Sequence, residues 1–265
     1  MIVAGLGVLR PVMVHPGRVV SGRAVRTVSG LVAAVVVATG CASEDGPRGF
    51  VDSFDGPDGL VADPGSDDDS LWTLTSGSLY RSDGRGWTGH PDDGSGPDDN
   101  GSAVFRMVSK ADGYTDVTIH LQLLVDDFVS TPGTPEQDYD GAHVWVGYRS
   151  EYELYAVSVD RRDGRLAIKK KCPGGPSNGG TYIDLVEEYE DAPVPIGRWQ
   201  DVLVTYATGA DGSVTISADR DGHRLQANDP GVGCAPLTSG RVGIRGDNAE
   251  LYFKDIEVTP NSPPH

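Results

Sequence analysis

The sequence predicts an all-β fold, a two-sheet antiparallel sandwich, and three observations carry that expectation. Helical periodicity is almost absent between residues 50 and 259, short alternating or apolar runs recur there, and Gly, Asp, Asn and Pro punctuate those runs. The best strands are Ala103 to Val108, Asp116 to Val125, Ala142 to Tyr148, Glu153 to Asp160, Arg165 to Lys170, Trp199 to Tyr206, Ser213 to Asp219, Arg241 to Arg245 and Glu250 to Val258. Asp160 to Gly164, Gly209 to Gly212, Asp219 to Gly222 and Gly246-Asp247-Asn248 have the chemistry of hairpin links. Asp92 to Gly101, Asp126 to Asp140 and Cys172 to Gly180 read as longer loops.

Before the sandwich, residues 1–40 carry four arginines and no acidic residue, and end in an apolar run from Leu31 to Ala38 followed by Thr39-Gly40-Cys41. A basic start, an apolar stretch too short to span a bilayer and small residues before a cut make a secretory signal. Ala38-Thr39-Gly40-Cys41 resembles the bacterial lipobox, which implies cleavage before Cys41 and lipidation of its thiol on the outer face of the cytoplasmic membrane. Plain secretion is the alternative. Residues 41–49 then form a lipidated tether, 50–259 the sandwich domain and 260–265 a Pro-rich tail.

Removing residues 1–40 leaves 18 basic against 39 acidic residues, a formal charge of −21. So acidic a surface excludes nucleic acid as a partner, since phosphate contacts need Lys and Arg. With Cys41 assigned to lipid, Cys172 and Cys234 remain as a pair in an oxidising compartment, and a disulfide is the expectation, against two unpaired thiols.

Phe54-Asp55-Gly56, Leu71-Trp72 and Ser76-Gly77-Ser78-Leu79 at the start resemble concanavalin A-like (laminin-G-like) jelly rolls. So do Arg198-Trp199-Gln200-Asp201-Val202, Asp219-Arg220-Asp221-Gly222, Gly240 to Arg245 and Phe253-Lys254-Asp255-Ile256-Glu257-Val258 toward the end. The resemblance implies two curved sheets, adjacent first and last strands, and a concave face that often binds or cleaves polysaccharide, in some members with Ca²⁺.

Strand alternation places side chains on faces. Val144, Val146 and Tyr148 share one face, and His143, Trp145 and Arg149 share the other; Ile119, Leu121, Leu123 and Val125 point inward, leaving His120 and Gln122 outward. With Lys169 and Lys171, the polar set His120, Gln122, His143, Trp145 and Arg149 offers what a sugar groove needs, a ring for the pyranose face and donors around it. The competing reading is a solvated sheet face with Trp145 in the core.

Glycoside hydrolysis needs two positioned carboxylates. The Glu-x-Asp-x-x-Glu string of laminarinase-type relatives is missing, so the catalytic candidates are Glu151 and Glu153 with His120 or His143. Ile119-His120, Arg149-Ser150-Glu151 and Tyr252-Phe253-Lys254 echo pieces of alginate-lyase-like jelly rolls, in the wrong chain order. Asp52 and Asp55 near the first strand and Asp255 on the last are a candidate structural Ca²⁺ set, with Asp92, Asp93, Asp98 and Asp99 as a second. Arg245-Gly246-Asp247 spells an integrin tripeptide, but Gly246-Asp247-Asn248 between two strands reads first as a turn; Lys169-Lys170-Lys171 reads first as a solvated strand end, with contact to an anionic glycan as the alternative. The expected function is a membrane-anchored module that binds a polysaccharide or other envelope glycan without cleaving it. The alternatives are a polysaccharide hydrolase or lyase of the same fold and a structural envelope protein with a protein partner.

Overall fold

The computed structural model describes residues 46–90, 103–188 and 192–261. Cys41 and its signal segment, the Asp92, Asp93, Asp98 and Asp99 set, and residues 262–265 of the tail lie outside the described residues. Where described, the chain forms strands and no helix: β1 (Phe50–Asp52), β2 (Gly59–Ala62), β3 (Trp72–Ser76), β4 (Leu79–Arg81), β5 (Gly86–Trp87), β6 (Val104–Ser109), β7 (Asp116–Phe128) and β8 (Gly141–Ser150). The second half continues with β9 (Glu153–Arg161), β10 (Leu166–Ser177), β11 (Gly180–Glu188), β12 (Gln200–Thr208), β13 (Val214–Arg220), β14 (His223–Asp229), β15 (Arg241–Asp247) and β16 (Ala249–Pro260).

Two antiparallel sheets result, as the jelly-roll expectation requires. One runs β14-β13-β12-β7-β16-β5-β4-β2 with β1 paired to β16, and the other runs β11-β10-β9-β8-β15-β6-β3. The first and last strands are neighbours, with Phe50 opposite Val258. Asp221 and Gly222, both at positive φ, close the β13–β14 hairpin, the geometry that two-residue hairpin loops favour.

Alternation builds the core between the sheets. From β7, Val117, Ile119, Leu121, Leu123 and Val125 point inward; from β8 and β9, Val144, Val146, Tyr155 and Val157 meet them. Each such side chain, fully removed from water, contributes about 1.5–3 kcal/mol. Polar fasteners cross the same layer. Lys170 on β10, fully buried, donates to both Asp229 oxygens on β14 and to the Cys234 carbonyl at 2.7–2.9 Å. Arg220 on β13 donates to Asp160 on β9 at 2.7 Å, and Gln200 donates to the other Asp160 oxygen. A disulfide joins Cys172 to Cys234.

Several stretches depart from the sequence reading, beginning with β1 to β5, which lie outside the nine expected strands. Cys172 to Gly180 is not a loop: β10 runs on to Ser177 and β11 begins at Gly180, with a register shift between Pro173 and Ser177. Gly and Pro there mark an irregular ribbon whose hydrogen bonds come from its partner strand. β14 carries only Leu225 and Ala227 toward the core, as an edge strand does, so its apolar alternation is faint. Lys170 is no solvated strand end; alternation turns it inward between Lys169 and Lys171, and Asp229 compensates its charge.

Candidate functional site

A second apolar cluster lies on the face of the seven-stranded sheet opposite the core, where Val108, Trp145, Leu154 and Ala156 pack with Tyr148 and Tyr182. On β8, Ala142, Val144 and Val146 take the core side, so His143 and Trp145 point outward. Gly147 then adopts φ +57°, and the β8–β9 register slips between Val146 and Ser150. Such a bulge adds a residue and switches the faces of the residues beyond it. Tyr148 therefore lies over Trp145, ring centroids 5.4 Å apart and planes 11° from parallel. Arg149 turns away from the cavity and donates to the Ser239 carbonyl. Both placements reverse the alternation reading, which put Tyr148 inside and Arg149 beside Trp145.

Over this cluster sits a cavity of about 310 Å³, at the small end of the usual ligand-site range. β8 supplies His143 and Trp145, β9 Ala156, Ser158 and Arg161, and β10 Lys169 and Lys171. β15 supplies Arg245 and Asp247, β11 Tyr182, and Tyr139, Ser177 and Asn178 complete the lining. Four residues expected in a sugar groove, His143, Trp145, Lys169 and Lys171, are thus brought together. Trp145 is only 2% exposed and His143 6%, so they are cavity lining rather than an open stacking platform. The Trp145 indole N–H is buried without a hydrogen-bond partner.

The charges are tightly arranged. Arg245 Nη2 donates to Asp247 Oδ1 at 2.8 Å, its Nε makes a 2.6 Å ion-pair contact with Oδ2 outside hydrogen-bond geometry, and its Nη1 donates to the Tyr182 hydroxyl. Burial alone would raise the Asp247 carboxyl, but Arg245, then His143, hold it well below the usual carboxylate range. His143 shares a 2.9 Å hydrogen bond between Nδ1 and the Ser158 hydroxyl, and its Nε2 lies 3.4 Å from Asp247. Burial pushes its imidazole down and favours the neutral ring, with Asp247 opposing. Lys169 pairs with Asp184 at 2.9 Å, and Arg161 with Asp163. Lys171 donates to the Glu151 carbonyl at 2.7 Å and sits 5.1 Å from the Tyr182 ring centre. Burial, then Arg245 and Arg106, pushes its ammonium down to about 8.

Other expected residues lie elsewhere. His120 and Gln122 are on β7 of the nine-stranded sheet, on the outer side of that strand, where His120 pairs with Asp201 at 2.8 Å. Jelly-roll topology separates them from β8, so they do not join the His143 cavity. Glu151 is exposed in the β8–β9 turn, and Glu153 begins β9 opposite Ser150; neither lines the cavity. They do not flank a shared space there as a hydrolytic pair would.

Asp52 and Asp255 are brought close through the β1–β16 pairing, as topology predicts, and the Asp52 and Asp55 carboxylates already have protein donors. Asp52 accepts from Phe54 N–H and Trp72 Nε1, and Asp55 accepts from the Ser53 hydroxyl. Among the described residues no three acidic, His or Cys side chains converge on a metal position.

Asp247 was hidden in Gly246-Asp247-Asn248, which reads as a turn, while Arg245 was expected at the end of the preceding strand. The structure carries β15 through Asp247 and turns only at Asn248, which has φ +45°. Their separation of two residues was the available signal, because it puts both on one strand face. Tyr182 was hidden with the rest of β11.

No family model matches the sequence, and no curated protein is similar to it. Solved structures do match its fold. An alginate lyase superposes with a TM-score of 0.53 at 10% identity, over 83% of this chain and 100% of its own. A structure from a study of endo-acting O-glycanases that prominent members of the human gut microbiota express to initiate mucin breakdown gives 0.52 at 11% identity, over 80% and 99%. A Bacillus subtilis protein of unknown function with a galectin-like fold gives 0.50 at 12% identity, over 71% and 89%. What these likenesses establish is the fold, a galectin-like jelly-roll sandwich.

Proposed function

We propose that this chain is an exported protein, lipid-anchored at Cys41, whose sandwich binds a polysaccharide or other envelope glycan in the Trp145 cavity without cleaving it. The observation that carries the reading is the cavity itself: the rings of Trp145 and Tyr182 line it together with Lys169, Lys171 and His143 on one sheet face. Apolar rings suit the C–H faces of a pyranose, and the surrounding donors suit its oxygens. The alginate lyase and the O-glycanase study of similar fold concern glycans, which agrees with the reading. Two-carboxylate hydrolysis finds no support at this cavity, where Asp247 is the one lining carboxylate among the described residues and is held ionised by Arg245.

Titration calorimetry against a panel of neutral and acidic oligosaccharides, with Ca²⁺ and with chelator, tests the reading. Binding is expected, weakened at least tenfold by Tyr182→Ala, with the oligosaccharide recovered intact. Absence of binding across the panel would sink it, and shortened or unsaturated products would replace binding with catalysis. Anchoring is tested separately by Cys41→Ser, which is expected to release the protein into the medium.

A further inference from the structure

The cavity holds more positive charge than its own acids match, in a chain of formal charge −17. Arg245 is paired with Asp247, Lys169 with Asp184 and Arg161 with Asp163. Among the described residues, Lys171 has a carbonyl and a ring as its close partners. Arg106 on β6 stands opposite Arg245 in the β6–β15 register, so it lies on the same sheet face. Its Nε is buried with no hydrogen-bond partner. Glu151 and Asp247 lie near enough to favour the Arg106 charge, and Glu151 that of Lys171, yet among the described residues no carboxylate makes an ion pair with either cation.

Two desolvated like charges beside a third, Arg245, repel one another at low local dielectric, and isolated buried charge is costly. An arrangement of this kind is relieved when an anion enters. Trp145, which lines the same cavity, has a buried indole N–H that finds no acceptor among the described residues. The donors at hand thus exceed the acceptors, the converse of a site built for a cation.

Resting on the glycan-binding reading, we propose that the ligand is an acidic glycan whose anionic group, a uronate carboxylate or a sulfate ester, is held by Lys171 where the cavity adjoins Arg106, while its ring lies against Tyr182. Arg–carboxylate and Arg–sulfate contacts are charge-assisted and directional, so the anionic group sets orientation as well as affinity. The net negative exterior slows approach of a polyanion at low salt, and the selectivity resides in the cavity rather than in long-range attraction.

The test is calorimetric titration of the mature chain with four sets of oligosaccharides matched in length: a panel of uronate oligomers, the same oligomers methyl-esterified, sulfated galactan oligomers, and the same galactan oligomers without sulfate. Affinity for at least one uronate or sulfated oligomer is expected to exceed that of its neutral counterpart at least tenfold. The uronate and sulfate arms say which anion is taken. Lys171→Met and Arg106→Gln are each expected to remove that preference, with unfolding midpoints recorded to show that the variants fold. Equal affinity for charged and neutral forms, or an unchanged preference in both folded variants, would overturn the acidic ligand while leaving glycan binding intact. Failure to bind any glycan, charged or neutral, would overturn both readings.

Discussion

At the scale of single residues, the cavity depends on which charges are compensated. Asp247 serves Arg245 and His143 together, so Asp247→Asn leaves a buried guanidinium without its counter-charge. Removing one partner of a buried pair costs about 3–5 kcal/mol. Denaturant unfolding at neutral pH should show a loss of that size, and a loss below about 1 kcal/mol would mean that water already solvates Arg245.

Lys171 gives the site a pH dependence. Around it stand Arg245 from β15, Arg106 from β6, Tyr182 from β11, His143 from β8, Lys169 from its own strand and Glu151 from the β8–β9 turn. Its ammonium is pushed down to about 8, so its positive charge is present below that pH and lost above it. Affinity for an acidic oligosaccharide should therefore fall between pH 7 and pH 9. Calorimetry across that interval checks this, and Lys171→Met should flatten the profile.

At the scale of elements, the decisive feature is the bulge in β8. A strict two-residue repeat carries Trp145 outward and would send Tyr148 to the core, yet the bulge at Gly147 returns Tyr148 to the outer face. Glycine is required there twice over, because φ is +57° and an added Cβ would meet the Tyr155 ring at 3.2 Å. Gly147→Ala is expected to destabilise the fold by about 1–3 kcal/mol and to weaken glycan binding by disturbing the Trp145–Tyr148 stack. Thermal unfolding and tryptophan fluorescence report the two effects separately, and an unchanged melting temperature would contradict the strain.

At the scale of the whole molecule, the two sheets are fastened together as well as packed. Lys170–Asp229 and Arg220–Asp160 tie β10 to β14 and β9 to β13. The disulfide pins the segment after β14 onto β10 beside the cavity strands. Closing a loop across a separation of 62 residues restricts the unfolded chain by about 4 kcal/mol in the chain-entropy model. Cys172→Ser with Cys234→Ser should lower unfolding stability by roughly that amount, read from denaturant midpoints. A stability equal to that of the parent would show that the packed sheets alone hold the segment.

The sandwich was legible in the sequence because alternation and turn chemistry are local: the nine strongest runs fall on strands whose ends differ by a few residues. β11 and β14 were not, since edge strands draw their order from a partner and need little apolar pattern of their own. Part of the cavity was legible for the same local reason, His143 and Trp145 on one strand face and Lys169 and Lys171 on another. Local pattern tells which face of a strand a residue takes, but not which sheet that strand joins, and so it groups His120 and Gln122 with residues that lie on the other sheet. By itself the sequence determined an acidic chain and an antiparallel β-sandwich, and left Trp145 open between an outward groove and the core. Only the tertiary structure decided that Arg106, Lys171, Tyr182 and Arg245 meet around that tryptophan, because strands distant in sequence become neighbours only when hydrogen-bonded register sets them side by side.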